Sequence, residues 1–210
     1  MARTLVPTRL PERATADRAA LYALLDEVLV AHVGVSLAEG PLVVPTGFAR
    51  DGDRLLLHGS TGSRWMRALA GGSPACVSVT ALDGLKVARS AFNSGMRYRS
   101  ACLFGGCEQL AGEAATAALA VFTDRLLPGR TGELRPSTAR ELAATMVLAL
   151  PIREWSLKTA GGFPEDPDED RAGDAWAGVV PVVTGFGPPL PNPDLRDGID
   201  VPASVRALSS

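Results

Sequence analysis

The fold is decided by the stretch LVAHVGVSLAEGPLVVPTGFARDGDRLLLHG, residues 29–59. Apolar side chains occupy every second position from Leu29 to Leu37, and a period of two predicts a half-buried strand. Residues 41–49 are strand-like as well, Asp51-Gly52 is a typical hairpin turn, and residues 54–59 form the returning strand. The stretch therefore predicts an antiparallel meander.

Helices and further strands extend this meander in both directions. Before it, Thr15 is the expected N-cap of an amphipathic helix, with Asp17 placed to favour the helix dipole. After it, Thr138 and Glu141 have the spacing of a capping box, which predicts a helix to about residue 148. Other helices are expected over 63–69 and 113–126, and other strands over 75–81, 85–92 (after an Asp83-Gly84 turn), 98–110, 152–159 and 179–184.

Strands that follow one another without strand–helix–strand alternation favour a mainly β, α+β fold: a small antiparallel barrel with flanking helices. A length of 210 residues suits one domain with appendages. We expect an extended arm over residues 1–14, the barrel domain over 15–184, and a proline-rich tail over 185–210.

Composition excludes several classes of function. With 21 basic and 23 acidic residues the formal charge is -2, so no basic field exists to bind nucleic acid. No stretch of about 20 nearly uncharged apolar residues could cross a membrane, and the first residues lack the apolar core of a signal peptide. Three cysteines without metal-ligand spacing and only two histidines predict no metal site. We expect a cytoplasmic protein, and the bias toward Ala, Arg, Gly and Pro is typical of a GC-rich bacterial genome.

The first candidate site is His58-Gly-Ser-Thr-Gly-Ser-Arg-Trp-Met66, where a strand runs through a hydroxyl-rich turn into a helix. The donors that a phosphate monoester requires are present: unpaired backbone N–H groups, the hydroxyls of Ser60, Thr61 and Ser63, and the guanidinium of Arg64. The alternative interpretation is an ordinary helix cap with a surface arginine.

The second candidate site is Arg97-Tyr-Arg-Ser100 at the start of a strand. In a regular strand Tyr98 and Ser100 share one face, and Arg97 and Arg99 the other. Two arginines so close together indicate anion binding or an intersubunit ion pair, unless they are only solvated charges on an edge strand.

Five motifs in this order resemble the pyridoxamine 5'-phosphate oxidase-like, FMN-binding split-barrel family, in particular its flavin-nucleotide-binding branch related to nitroimidazole-resistance reductases. They are Val44-Pro-Thr-Gly-Phe-Ala-Arg-Asp-Gly52, Leu57-His-Gly-Ser-Thr-Gly-Ser-Arg64, Gly84-Leu-Lys-Val-Ala-Arg-Ser-Ala-Phe92, Met96-Arg-Tyr-Arg-Ser100 and Trp176-Ala-Gly-Val-Val-Pro181. The resemblance implies a six-stranded antiparallel split barrel and a homodimer that holds two FMN molecules between its subunits.

The resemblance also implies roles for individual residues. Pro45, Thr46 and Gly47 would pass the flavin ring; His58, Gly59 and Ser60 would lie along the ring and ribityl chain; and Ser63 and Arg64 would bind the phosphate. Tyr98, Arg99 and Ser100 would complete the site from the same or the second subunit, and Lys158 of Ser156-Leu-Lys158 would reach the cofactor edge. His58 and Lys158 are the candidate catalytic residues.

This chain departs from the family where Asn93-Ser-Gly-Met-Arg-Tyr-Arg-Ser100 replaces a stretch that often carries two histidines. An oxidoreductase acting on a small organic molecule, with a nicotinamide electron donor, is the leading expectation. The alternatives are a non-catalytic module that binds or senses flavin or haem, which the missing histidines favour, and a deazaflavin-dependent reductase of the same fold.

Overall fold

The computed structural model describes residue 5 and residues 8–209. Its strands are β1 (Ala14–Thr15), β2 (Val30–Leu37), β3 (Gly40–Gly47), β4 (Ala49–Asp51), β5 (Arg54–Ser60), β6 (Ala75–Val87), β7 (Gly95–Gly105), β8 (Glu108–Leu110), β9 (Thr145–Pro151), β10 (Glu154–Ala160) and β11 (Gly178–Pro181). Its α-helices are α1 (Arg18–Glu27), α2 (Arg64–Ala70), α3 (Gly112–Leu126), α4 (Ala139–Ala144), α5 (Asp168–Arg171) and α6 (Ala203–Arg206), and 3-10 turns occur at Pro11–Arg13, Arg130–Glu133 and Ala207–Ser209.

The strands form two antiparallel sheets. The seven-stranded sheet has the order β1-β10-β7-β6-β2-β3, with β11 paired to the far half of β6. The four-stranded sheet has the order β4-β5-β9-β8. The expected fold, an antiparallel split barrel with flanking helices, is confirmed, although short edge strands raise the strand number above six.

The main core lies between the two sheets and is closed by α1 and α2. Val33, Leu55, Leu57, Leu103 and Leu148 are fully buried in it. A second, smaller cluster on the other side of the four-stranded sheet packs that sheet against α3. Because β5 is buried on both faces, its run of three leucines shows no alternation.

The expected helix from Thr138 to about residue 148 is wrong in its second half. The capping box exists, since Glu141 N donates to Thr138 Oγ1 at 3.3 Å and Thr138 N donates to Glu141 Oε2 at 2.7 Å. However, α4 ends at Ala144, and the following residues form β9, in which Met146 to Leu150 are all buried. A short, uniformly apolar run does not distinguish a helix from a strand that is buried on both faces.

The Asp83-Gly84 turn is also wrong. β6 continues through these residues for thirteen positions, with a bulge between Leu82 and Gly84. Gly84 is required there because a Cβ would lie 2.8 Å from the carbonyl oxygen of Val180 on β11. Asp-Gly is typical of a turn, but here the glycine is needed because the backbone of β11 lies so close to β6.

Two further boundaries differ from the prediction. The helix before the meander is capped by Asp17 rather than by Thr15, because the Asp17 carboxylate accepts from the backbone N–H groups of Ala19 and Ala20 at 2.9 and 3.3 Å. The single strand expected over 98–110 is divided into β7 and β8, which lie in different sheets.

The expected arm and tail only partly fall on described residues. Within the arm, residues 1–4, 6 and 7 lie outside the described residues, as does residue 210 of the tail. The tail folds back on its own chain, where Ser204 donates to the Glu133 carboxylate from its N–H at 3.2 Å and from its hydroxyl at 2.6 Å. Among the described residues, no helix is long and apolar enough to cross a membrane.

Candidate functional site

The outward face of the seven-stranded sheet carries three of the residues singled out in the sequence. Ser100 on β7 stands directly opposite Lys158 on β10, and Tyr98 stands opposite Ala160 on the same strand. Residues two apart on a strand share a face, so Tyr98, Ser100 and Lys158 form one group. Lys158 Nζ donates to the backbone carbonyl of Arg9 at 2.8 Å, which ties the N-terminal segment to this group.

Pro45 lies on the same outward face, on β3, three strands beyond β7 in the sheet order. A cross-strand row runs from Pro45 through His32 and Ser78 to Cys102. Thr46 is paired with the buried residue Ala31 and therefore belongs to the opposite face.

Arg99 faces inward, as do the buried neighbours Ala101 and Leu103 on its strand. Its Nη1 and Nη2 atoms donate to Glu27 at 2.7 and 2.8 Å, and its Nε and Nη2 atoms donate to Asp83 at 3.0 and 2.6 Å. These bonds to Arg99 lower the pKa of both carboxyl groups, and the carboxylates raise the pKa of Arg99. Within this chain the charge of Arg99 is therefore shared with two carboxylates.

His58 lies in the smaller apolar cluster beneath α3. Its ring meets Phe122 edge to face, with centroids 4.2 Å apart and an interplanar angle of 83°. Its Nδ1 atom is buried and has no hydrogen-bond partner within residues 8–209, and burial lowers the pKa of the imidazole, which favours the neutral ring near pH 7. Gly47 reaches the same aromatic ring, since a Cβ there would lie 3.2 Å from Phe122 Cζ.

The loop after β5 presents hydroxyl groups and one guanidinium. Ser60 Oγ accepts from Gly62 N at 3.1 Å, and Ser60 O accepts from Ser63 N at 2.9 Å. Ser63 is the N-cap residue of α2, yet its hydroxyl makes no capping hydrogen bond. Arg64 is 72% exposed in its side chain and is paired with Glu39 of the β2–β3 hairpin. Gly59 is closed in by Met66, whose Cγ would lie 3.2 Å from an added Cβ.

Within one chain these residues form two separate groups. His58 and Ser60 lie on β5 of the four-stranded sheet and the loop to Arg64 follows it, whereas Tyr98, Ser100 and Lys158 lie on the seven-stranded sheet. Among the hydrogen bonds and ion pairs of the described residues, none joins one group to the other.

Two cavities lie beside these groups. The first, of about 800 Å³, lies between α3, α4 and the four-stranded sheet, has mostly apolar walls, and touches Thr61 of the loop. The second, of about 780 Å³, lies between the start of β2, the middle of β6, the end of α3 and the C-terminal segment.

Sequence reasoning missed Glu27, Asp83 and Phe122 as neighbours of the candidate site. Glu27 ends a helix and Asp83 sits in an apparent turn, and neither position carried a recognisable motif. The sequence feature that could have indicated these carboxylates is the pair of arginines at positions 97 and 99, because two nearby positive charges require negative partners from elsewhere in the chain.

The structure of the FAD and haem binding protein from Mycobacterium smegmatis is 52% identical, with a TM-score of 0.91, over 93% of this chain and 97% of that chain. The flavocytochrome Anf3 from Azotobacter vinelandii is 39% identical, with a TM-score of 0.90, over 96% of this chain and 94% of that chain. None of the functionally curated proteins matches the sequence.

A protein of Bacteroides thetaiotaomicron described as a 5-nitroimidazole antibiotic resistance protein is 20% identical, with a TM-score of 0.59, over 69% of this chain and 85% of that chain, which supports the fold alone. The family model described as pyridoxamine 5'-phosphate oxidase matches residues 17–159, about two thirds of the chain. With that match, and with relatives 39% and 52% identical over nearly the whole length, the protein belongs to the pyridoxamine 5'-phosphate oxidase family.

Proposed function

We propose that the protein binds a flavin nucleotide between the subunits of a homodimer and acts as an oxidoreductase on a small organic molecule, with a nicotinamide electron donor. The observation that carries this proposal is the 52% identity, over 93% of the chain, to a protein that binds FAD and haem. A bound flavin would supply the redox chemistry, and the protein its position and electrostatics. The family resemblance predicts FMN, whereas this relative favours FAD, and we propose FAD for this chain.

The loop after β5 suits the phosphate end of such a cofactor. Ser63 has a hydroxyl that is not used in capping the helix, and Arg64 is an exposed guanidinium with a single exposed acidic partner, Glu39. A phosphate oxyanion, in the monoester of FMN or the diphosphate of FAD, forms stronger, bidentate bonds with a guanidinium than a solvated carboxylate does. We therefore expect flavin binding to draw Arg64 away from Glu39.

The ring end would lie near Gly47 and His58. Both residues meet Phe122, and the buried Nδ1 atom of His58 has no hydrogen-bond partner among the described residues. A neutral imidazole of this kind can donate to a ring carbonyl or hold a proton for a substrate. Pro45, Gly59 and Ser60 would complete this half of the proposed site, and Thr46, whose side chain lies on the opposite sheet face, would contribute only backbone groups.

The other half would come from a second copy of the chain. Tyr98, Ser100 and Lys158 share the outward sheet face with exposed aliphatic side chains, among them Val43 at 62% and Leu85 at 44% exposure. Exposed aliphatic residues around polar groups are typical of a subunit interface. Arg99 would add a positive charge behind this face, held in position by Glu27 and Asp83.

Flavin content tests the proposal directly. The purified protein should be yellow and should release flavin on denaturation, with mass spectrometry separating FAD, FMN and a deazaflavin. Arg64→Ala removes a charge-assisted contact worth about 1.5–3 kcal/mol, so the flavin Kd should rise roughly 10- to 150-fold. Arg67→Ala, also exposed and one turn further along α2, is the matched control. A colourless protein that cannot be reconstituted would defeat the proposal.

A mixed dimer tests whether the site is shared. If Arg64 comes from one subunit and Lys158 from the other, a dimer of an Arg64→Ala chain with a Lys158→Met chain retains one intact site and one doubly altered site. We expect one flavin per mixed dimer, and little flavin on either variant homodimer. If each site lies within one chain, the mixed dimer has no intact site and binds as poorly as the homodimers. Turnover of NADH or NADPH with an added acceptor then decides whether the protein is catalytic.

A second function, haem binding beside the flavin, is favoured by the same relative. The chain has two histidines, and His58 is the better ligand candidate because burial favours its neutral, metal-binding form, whereas His32 is exposed on the sheet face. An absorbance spectrum after growth with a haem precursor should show a Soret band that His58→Ala abolishes and His32→Ala retains. Cytoplasmic location remains part of the proposal, and Cys102 and Cys107 carry free thiols that suit a reducing compartment.

A further inference from the structure

The cavity of about 780 Å³ exists because two neighbouring strands of the seven-stranded sheet diverge. β2 pairs with β6 only from His32 to Val35, opposite Ala75 to Ser78. Beyond this point β6 continues, and its far half pairs with β11 instead. The gap between β2 and β11 is the mouth of the cavity, with Val30, Thr80 and Leu82 among its lining residues.

The C-terminal segment forms another wall of this cavity. Val182 N donates to Asp83 O at 3.2 Å where the chain leaves β11, and residues 182, 184–186 and 208 line the cavity. The contact of Ser204 with Glu133 holds the end of the segment in place. The enclosure is therefore built by residues that are far apart in sequence.

The charges around the cavity are unequally matched. The carboxylates of Glu27 and Asp83 both form ion pairs with Arg99. Arg125, at the end of α3, lines the cavity but makes no ion pair among the described residues, and its Nε atom is buried without a partner. Its one hydrogen bond there, from Nη2 to the carbonyl of Val28, is long at 3.5 Å.

Arg97 is a third guanidinium in this region and likewise makes no ion pair among residues 8–209, although it lowers the pKa of Asp83 through space. This region therefore contains three guanidinium groups and two carboxylates. The guanidinium groups are in excess by one positive charge. A single carboxylate would balance this charge, whereas a phosphate dianion would exceed it.

We propose that the cavity binds a small organic carboxylate with an apolar body, whose carboxylate pairs with Arg125. The remaining walls are mostly aliphatic, with Leu126, Val182 and Phe186 available to cover the apolar part. Thr80 and Leu82 stand directly opposite Ser100 and Tyr98, so the ligand would lie beside the residues assigned to the flavin. The assignment of this carboxylate ligand as the substrate rests on the proposed function, but the binding of the ligand to the cavity does not.

The test uses 2-naphthoate, a fluorescent aromatic carboxylate, and its neutral analogue 2-naphthamide, on the full-length protein as purified. Calorimetry should show that naphthoate binds more tightly than the amide, by about tenfold or more, because a charge-assisted hydrogen bond to a partly buried group favours the anion. Arg125→Gln should remove this preference and Arg125→Lys should retain part of it. Arg140→Gln, on the exposed surface of α4, should leave it unchanged.

Equal affinities of the wild type for naphthoate and naphthamide would overturn the proposal, as would no binding of either probe or an Arg125→Gln variant that binds naphthoate like the wild type. The flavin content of each preparation is measured separately. A flavin-free protein that still binds naphthoate through Arg125 would contradict the proposed function and support this inference, whereas a flavin-loaded protein without carboxylate preference would do the reverse.

Discussion

Replacing Arg99 by methionine is expected to lower the free energy of unfolding by about 2 kcal/mol at pH 7. The Arg99 side chain is 31% exposed, and its partners Glu27 and Asp83 are 55% and 31% exposed. An exposed ion pair contributes about 0.2–1 kcal/mol, and a hydrogen bond to a desolvated charge about 1.5–3 kcal/mol. This partly exposed network, bidentate toward both carboxylates, lies between these limits, and the substitution also leaves the two carboxylates in mutual repulsion.

For a chain of this length, a loss of about 2 kcal/mol corresponds to a fall in Tm of about 4–8 °C. Arg99 lowers the pKa values of Glu27 and Asp83 below their ordinary 4.5 and 3.8. A carboxyl group whose pKa is lowered in the folded state stabilises the fold at any pH above its ordinary pKa. This stabilisation is lost as the pH falls through the lowered pKa of the folded state. The difference between wild type and variant should therefore be full at pH 7 and should shrink below about pH 4.

Thermal unfolding, followed by circular dichroism at pH 7 and again below about pH 4, measures the difference in Tm between wild type and variant. Arg67→Met is the control, because Arg67 is exposed on α2 and makes no ion pair among the described residues. An unchanged Tm at pH 7, or a difference of the same size in acid, would refute the reasoning.

The remaining predictions concern the fold. Leu148→Ala should cost about 2–5 kcal/mol in chemical denaturation, because β9 is central and buried, whereas Arg140→Ala on exposed α4 should cost less than about 0.5 kcal/mol. Gly84→Ala should destabilise by roughly 1–3 kcal/mol through its clash with β11, while Gly95→Ala, with open space around it, should be neutral in the same assay. Asp166→Ala should increase proteolysis of the loop around residues 161–177, because its buried carboxylate accepts from Arg89 N at 3.0 Å and Nη1 at 2.9 Å.

The acidic stretch around Asp166 also shows the limit of sequence reasoning. A run of charges predicts a solvated surface, and most of this run is exposed, yet Asp166 is 6% exposed and bonded to a residue 77 positions away. Nothing local in the sequence marks one carboxylate of the five in residues 165–170 as buried, because its partner is provided by tertiary structure.

The fold itself was predictable because its strongest signals are local. The alternation in β2, the Asp51-Gly52 turn and the capping box of α4 each depend on fewer than about ten residues. The candidate site was predictable only in part. Strand alternation correctly separates Tyr98 and Ser100 from Arg99, but the pairing of Arg99 with Glu27 joins positions 72 apart.

The thirteen residues of β6 have a consequence for motions of the molecule. One edge of this strand is hydrogen-bonded to β7 along nearly its full length, while its other edge is covered by β2 near the start and by β11 near the end. Between these two covers, residues 80–82 line the cavity. The backbone amides at both ends of β6 should therefore exchange slowly with deuterium, and those in its middle should exchange faster. A ligand bound in the cavity should slow exchange only in the middle of the strand.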